Sequence, residues 1–176
     1  MPYIALDAID LKILAALQDD GRLTNNELAD RVGLSPSPCL RRVRRLERDG
    51  FIRAYRAVLD RDSVGLGLTV FVEIKVEKHS RDNARALQEA LSGMPEVVAC
   101  HMVSGTADFV VEIVVPNLKA YERLLTEKLL TLPMIGDIRS NFVLTRTKSE
   151  APLPLSHLKR SGGREAVGSA GEPDCD

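Results

Sequence analysis

The segment between Gly33 and Gly50 limits what this chain can fold into more than any other segment. Ser35 and Pro36 match the N-cap and the first position of a helix, where the missing N–H of proline costs nothing and its φ angle is already helical. The pattern predicts a helix from Pro36 to Asp49, because a glycine follows. Its apolar residues share one face and predict a buried stripe of Cys39, Leu40, Val43 and Leu46.

The opposite face of this helix is rich in arginine. Residues 31–56 contain eight arginines and two acidic residues, a local charge of +6, whereas the rest of the chain carries −7. The whole-chain charge of −1 therefore hides a basic patch, and electrostatic fields act locally. Because the planar guanidinium pairs bidentately with phosphate or with guanine, this patch favours double-stranded DNA as a partner.

Two further helices are predicted before the basic one, over residues 7–19 and 25–32. Thr24 and Glu27 have the spacing of a capping box at the start of the second of these helices. A short helix, a tight turn and a helix with an exposed basic face form a helix-turn-helix, whose second helix enters the major groove. Residues 51–59 have extended character and are predicted to form a wing strand.

Groove geometry assigns roles to the polar residues of this domain. Residues near the start of a recognition helix reach base edges, so Ser37 and Arg41 are the expected readers, with Arg45 next. The other arginines are expected on the DNA backbone, although Arg44 could instead form an ion pair with an acid such as Glu47. The candidate DNA-binding residues are Ser35, Ser37, Arg41, Arg44, Arg45, Arg48, Arg53 and Arg56.

From residue 64 onward the periodicity changes. Apolar residues occupy every even position of 68–76, as in a strand with one buried face. The predicted elements are strand 68–76, helix 81–92, strand 97–103, strand 109–115, a helix from residue 117 and strand 138–146. This βαββαβ order predicts a ferredoxin-like α+β domain, with two helices on one face of an antiparallel sheet. The other face is expected to be covered by oligomerisation.

Three regions follow: a winged helix-turn-helix domain over 1–63, a ferredoxin-like domain over 64–150 and a disordered tail over 151–176. The tail is expected to be disordered because it is rich in glycine and serine and lacks periodicity. Three cysteines without a CxxC pair indicate neither a zinc site nor a disulfide framework. Because no membrane span or signal peptide is recognisable, we expect a cytoplasmic protein without a membrane partner.

Two parts of the sequence match one known family. They are LDAIDLKILAALQDDGRLTNNELADRVGLSPSPCLRRVRRLERDGFIRAYRAVLD, and MVSGTADFVVEIVVPNLKAYERLL with LPMIGDIRSNFVL. The chain thereby resembles the Lrp/AsnC (leucine-responsive, or feast/famine) family of bacterial and archaeal transcription regulators. The resemblance implies a nucleoid-associated regulator that binds specific DNA sequences, responds to a free amino acid and controls genes of amino-acid metabolism. It also implies a homodimer that assembles into a tetramer or octamer, with no cofactor besides the amino-acid effector.

The resemblance further implies an effector pocket. The family carries a G-x-x-D motif between the second and third strands of its second domain, matched here by Gly105 and Asp108. Glycine lets backbone N–H groups approach a ligand carboxylate and an acid can pair with its ammonium, whereas in the alternative Asp108 only caps the turn. Before the last strand this chain has Pro133-Met134-Ile135 where the family commonly has Pro-Gly-Val. The implied effector-binding residues are Met102, Ser104, Gly105, Thr106, Asp108, Leu118, Arg139 and Ser140.

Three alternatives compete with this interpretation. An enzyme is disfavoured because the three histidines are scattered and neither a Walker loop nor a nucleophile motif is present. A stand-alone amino-acid sensor would leave the arginine-rich face without a role. An effector-independent architectural, chromatin-like DNA-binding protein would share every N-terminal feature, and a failure to bind any amino acid would distinguish it.

Overall fold

The computed structural model describes residues 6–77, 80–148 and 151–158. The chain divides into two compact units, one formed by Met1–Ala57 with Glu150–Asp176 and the other by Val58–Ser149. Residues 58–63, assigned by sequence to the first domain, group with the second unit, where Arg61 donates to Glu112 at 2.8 Å. From residue 159 onward, the predicted disordered tail lies outside the described residues.

Three helices form the first unit, as predicted: α1 (Ala8–Asp19), α2 (Asn25–Val32) and α3 (Pro36–Arg48). The capping box of α2 is confirmed, because the Thr24 hydroxyl accepts from the N–H of Glu27 at 3.3 Å and the Glu27 carboxylate accepts from the N–H of Thr24 at 2.7 Å. Gly33 ends α2 with a φ of +75°, which glycine adopts without strain. The fully buried apolar side chains of this unit are Ile13, Ala29, Cys39 and Leu46.

The predicted wing strand after α3 is not formed among the described residues. The N–H groups of Phe51 and Ile52 both donate to the carbonyl of Leu46 and so close the end of α3. Residues 53–60 then follow an irregular path. Because a strand requires a hydrogen-bonded neighbour and no described segment supplies one, extended character alone does not produce a strand here.

Residues 151–158, assigned by sequence to the disordered tail, pack on the first unit, and we call them the C-terminal strap. The N–H of Leu153 donates to Oε1 of Gln18 at 2.6 Å, and Nε2 of Gln18 donates to the carbonyl of Leu153 at 3.3 Å. Leu155 is half-buried against the core of the three helices. Hydrophobic periodicity cannot predict such a segment. Pro152 and Pro154 disfavour a regular helix or strand, and the segment packs on the core through the single side chain of Leu155.

Leu155→Ala is expected to lower the free energy of unfolding of the first unit by about 1–2 kcal/mol, because it removes a half-buried leucine from the core. Leu153→Ala is the matched control, since its side chain is 73% exposed and its bonds to Gln18 use backbone atoms. Calorimetric unfolding of the full chain measures both variants. Equal melting temperatures would show that the C-terminal strap contributes no stability.

The second unit is a four-stranded antiparallel sheet with helices on one face. Its elements are β1 (Leu68–Val76), α4 (Arg81–Ser92), β2 (Val97–Met102), β3 (Phe109–Val115), α5 (Leu118–Leu124) with the π-helical turn Leu125–Leu129, and β4 (Ile135–Phe142). The strand order β2-β3-β1-β4 confirms the predicted ferredoxin-like arrangement. Alternate residues of β1 and β3 form the core with Leu87 and Leu91 of α4 and Tyr121 of α5.

The last strand, β4, begins and ends earlier than the predicted range of 138–146. A bulge near the end of β1 leaves Gly136 without a paired residue, while the pairing continues beyond it to Ile135. A Cβ atom at Gly136 would lie 2.9 Å from the Cα of Glu77, closer than real Cβ atoms approach backbone. The glycine at this bulge therefore permits two backbone segments to approach each other closely.

Gly136→Ala is expected to lower the free energy of unfolding of the second unit by about 1–3 kcal/mol, because the backbone of Glu77 cannot move without disturbing the pairing of β1 with β4. Gly93→Ala is the control. Its φ is −82° and an added Cβ would have its nearest contact at 3.5 Å, so neutral or slightly higher stability is expected. Urea unfolding compares the two, and equal stabilities would contradict the close approach.

The outer face of the sheet, opposite the helices, is mixed in character. Phe71 is 41% exposed there, but neighbouring Glu112 pairs with Arg61 at 2.8 Å and lies 3.6 Å from Arg146. The apolar driving force for association is therefore smaller than strand alternation suggests. Oligomerisation through this face stays a prediction.

Candidate nucleic-acid interface and effector loop

The exposed face of α3 carries three polar side chains that we call the recognition strip: Ser37, Arg41 and Arg44. Neither arginine has an acidic partner among the described residues, so the alternative pairing of Arg44 does not occur. Glu47 instead accepts from the Tyr55 hydroxyl at 3.0 Å. Burial, together with this bond, raises the pKa of Tyr55 to about 12. Both strip arginines therefore retain their full set of donors.

Four further candidates lie around the recognition strip. Ser35 is the N-cap of α3, but its exposed side chain makes no capping hydrogen bond. Arg48 donates to Asp49 at 3.0 Å while its side chain remains 73% exposed, which makes this a weak surface pair. Arg53 and Arg56 are exposed in the irregular segment after α3. All four remain candidates for contacts with the DNA backbone.

The structure does not place Arg45, the third predicted reader, on the recognition strip. Its guanidinium contacts the carboxylate of Asp10, which also accepts from Arg42 at 2.9 Å. Arg42 reaches Asp7 as well, at 2.6 Å. Asp10 is fully buried, and both arginines are partly buried. We call this group, which joins the start of α1 to α3, the α1–α3 clamp: Asp7, Asp10, Arg42 and Arg45.

Asp7, Asp10 and Arg42 are not among the candidate residues named from the sequence. Asp7 does cap α1, accepting from the N–H of Asp10 at 2.8 Å, and this bond, with Arg42 adding to it, lowers the pKa of Asp7. Hydrogen bonds to Asp7 and Asp10 in turn raise the pKa of Arg42. The sequence does contain one signal for this contact, which is the spacing of the charged residues. Asp7 and Asp10 are three residues apart, as are Arg42 and Arg45, so the two acids at the start of α1 can face the two arginines of α3.

The loop between β2 and β3 is fastened to the end of β1. Oδ2 of Asp108 accepts from the N–H of Val76 at 2.8 Å, and the N–H of Asp108 donates to the carbonyl of Ile74 at 3.0 Å. Gly105 has a φ of +138°, and a Cβ there would meet no atom within 4 Å. Glycine is thus needed at this position for its backbone conformation, and the space beside it is open.

The other predicted effector residues do not all meet at this loop. The exposed ones are Met102, Ser104, Thr106 and Leu118. Arg139 and Ser140 are adjacent in β4 and therefore face opposite sides of the sheet. Arg139 lies 3.7 Å from Glu73 on the outer face, whereas the Ser140 hydroxyl lies 2.5 Å from that of Tyr121 on the helix side. Within the second unit, these two side chains do not share a site.

Tyr121 is not among the candidate residues named from the sequence. Its side chain is 2% exposed and packs edge-on against Phe142, with ring centroids 5.5 Å apart. Burial raises the pKa of its hydroxyl, which lies beside that of Ser140. Tyr121 therefore ties α5 to β4 by both packing and hydrogen bonding.

The described residues show two further absences. No helix among them is long and apolar enough to cross a membrane. No three histidine, cysteine, aspartate or glutamate side chains of residues 6–77, 80–148 and 151–158 are grouped so that they could hold a metal ion.

Comparison with known proteins accounts for both units. A model described as a winged helix-turn-helix DNA-binding domain matches residues 6–53, and one described as the Lrp/AsnC ligand binding domain matches residues 69–153. The leucine-responsive regulatory protein of Escherichia coli K12 is 46% identical over 150 residues, which cover 85% of this chain and 92% of that protein. The chain belongs to the Lrp/AsnC family. Members of this family are transcription regulators. The two matched models indicate that this chain combines a DNA-binding unit with an amino-acid-binding unit.

Solved structures of relatives confirm the Lrp/AsnC architecture. A transcriptional regulator from Neisseria meningitidis, solved as an L-Met complex, has a TM-score of 0.84 and 39% identity, with 87% of this chain and 99% of that chain covered. An AsnC family regulator from Agrobacterium tumefaciens has a TM-score of 0.82 and 38% identity, with 86% and 99% covered. The recognition strip lies within the first matched domain and the β2–β3 loop within the second.

Proposed function

We propose that this protein recognises specific DNA sequences through the recognition strip, and that a free amino acid bound at the β2–β3 loop changes this recognition. The observation that carries the proposal is the pair Arg41 and Arg44, exposed on one face of α3 with no acidic partner in the part of the chain that the structure describes. In a helix-turn-helix this face enters the major groove, where arginine pairs bidentately with guanine. Arg44, expected from the sequence on the DNA backbone, shares this face with Arg41 and is therefore proposed as a second base reader. Ser37, nearer the start of α3, reaches base edges beside them.

The effector part of the proposal is supported by the loop and by the relatives. The space beside Gly105 is open, and Asp108 lies at the base of the same loop. The Neisseria relative was solved with L-methionine, and the curated relatives are named for leucine. We extend these observations to an apolar amino acid as the effector and to genes of amino-acid metabolism as the targets.

Assembly and location are part of the same proposal. A homodimer presents two recognition helices to one side of DNA, so its half-sites lie about one helical turn, or a multiple of it, apart. We propose further assembly to a tetramer or octamer, in which effector sites are completed between subunits. Its place is the cytoplasm, on the DNA of the nucleoid.

The proposed function is tested by selecting duplexes from a random-sequence pool with the full-length protein. Affinity for the enriched duplex, which we call the selected duplex, is then measured by fluorescence anisotropy with L-methionine, L-leucine or the D-enantiomer of either. A coupling free energy of about 1–3 kcal/mol predicts a 5- to 150-fold change with an L-amino acid. Enrichment without any amino-acid effect would support the architectural alternative, and no enrichment would exclude sequence-specific binding.

A further inference from the structure

The α1–α3 clamp fills the hydrogen-bonding capacity of one buried carboxylate. Oδ1 of Asp10 accepts from Arg42, and Oδ2 accepts from Arg45 and from the backbone N–H of Asp7. The Asp10 side chain is only 1% exposed, so solvent screens these pairs little. Because a buried charge is costly once a partner is lost, the arrangement resists any movement that separates α3 from Asp10.

Apolar packing holds α3 along one line and on one side of that line. Its buried side chains are Cys39 and Leu46, which are seven residues apart and so lie almost on one line along the helix. Val43 is partly buried against the same core and projects about 50° to one side of the line. Arg42 and Arg45 project about 50–110° to the other side, where their pairing with Asp10 opposes rotation of the helix about its axis.

We propose that Asp10 is a positioning residue for base reading, an inference that rests on the proposed function. Arg41 and Arg44 each precede a clamp arginine by one residue, so a roll of α3 that opened the clamp would turn the recognition strip by the same angle. The clamp therefore fixes the direction in which the strip points. It also keeps Arg42 and Arg45 out of the DNA contacts, although sequence alone places Arg45 among the readers.

The test compares the selected duplex with a scrambled duplex of the same composition, using the full-length chain well below its melting temperature. Asp10→Asn keeps the size of the side chain but removes its charge. The ratio of the two affinities is expected to fall at least tenfold, because the strip is no longer held at Asp10 while Arg45, released from its carboxylate, binds any phosphate. Arg42 keeps its pair with Asp7. Asp49→Asn is the control, since it releases Arg48 of α3 without touching the clamp and should preserve the ratio.

If Asp10→Asn folds poorly, a second variant tests whether the clamp keeps Arg45 away from the DNA. Arg45→Gln retains the pair between Asp10 and Arg42, and the slope of log K against log salt should stay unchanged because Arg45 does not contact phosphate. If the magnitude of this slope decreased by about 0.9, Arg45 would contact a phosphate in the unsubstituted protein, and the proposal would be overturned.

Other results for Asp10→Asn would also overturn the proposal that Asp10 is a positioning residue. Tighter binding with an unchanged ratio would mean that the clamp withholds DNA contacts, and equal losses for both duplexes would mean that Asp10 only supports folding. A retained ratio at unchanged affinity would show that the clamp does not orient the strip. If the unsubstituted protein enriches no sequence, the proposed function fails on separate grounds.

Discussion

Arg41→Ala is expected to weaken binding to the selected duplex about 5- to 150-fold while binding to the scrambled duplex changes little, since a bidentate base contact is worth about 1–3 kcal/mol. The reason lies in the position of Arg41 in the first half of α3, where its side chain is exposed and has no acidic partner among residues 6–77, 80–148 and 151–158. Within these residues, no ion pair has to be broken before this guanidinium meets a base. Anisotropy titrations with both duplexes measure the ratio.

Arg53→Ala provides the contrast for this experiment. Arg53 is exposed in the segment after α3 and is expected to contact the DNA backbone, so its loss should weaken both duplexes alike and reduce the salt slope by about one unit. If Arg41→Ala behaved in the same way, Arg41 would be a backbone contact and base reading would fall to Ser37 and Arg44.

Features that depend on neighbouring residues in the chain were predictable from the sequence. Ser35 with Pro36 marked the start of α3, and Thr24 with Glu27 marked the start of α2, because caps are formed by residues within one turn. The alternation in β1 and the order of strands and helices likewise determined the ferredoxin-like sheet. For these elements, local chemistry and the final fold agree.

Features that depend on distant residues could not be predicted in this way. The bulge at Gly136 depends on the backbone of Glu77, and the C-terminal strap depends on Gln18 more than a hundred residues earlier. The clamp pairs Asp10 with arginines about thirty residues away. Each of these contacts exists only once the tertiary fold has formed, so neither periodicity nor capping chemistry reports it.

The candidate sites show the same division between local and distant information. The arginine-rich face was evident from helical spacing, but which arginines are available for DNA depended on acids in another helix. For two of the effector residues, the period of a strand already predicts that they do not share a site. Arg139 and Ser140 are neighbours in a strand, and the two-residue period already assigns them to opposite faces.

Asp108→Ala is expected to abolish the effector response while DNA binding without effector stays within about twofold. The substitution removes the acceptor for the N–H of Val76, which fastens the β2–β3 loop to β1. It also removes the charge proposed to pair with the ammonium group of the ligand. Anisotropy titrations with and without the active amino acid measure the response. Asp137→Ala, at an exposed position of β4, is the control and should respond normally.

Asp108→Asn separates the two roles of this carboxylate. The amide oxygen can still accept from the N–H of Val76, so the loop should stay fastened and the melting temperature of the second unit should change little. The negative charge is lost, however, and an ammonium group would then face a neutral amide. Loss of the response at an unchanged melting temperature is therefore the expected result. A normal response in Asp108→Asn would assign Asp108 to loop geometry alone and would leave the ammonium to be bound by another residue.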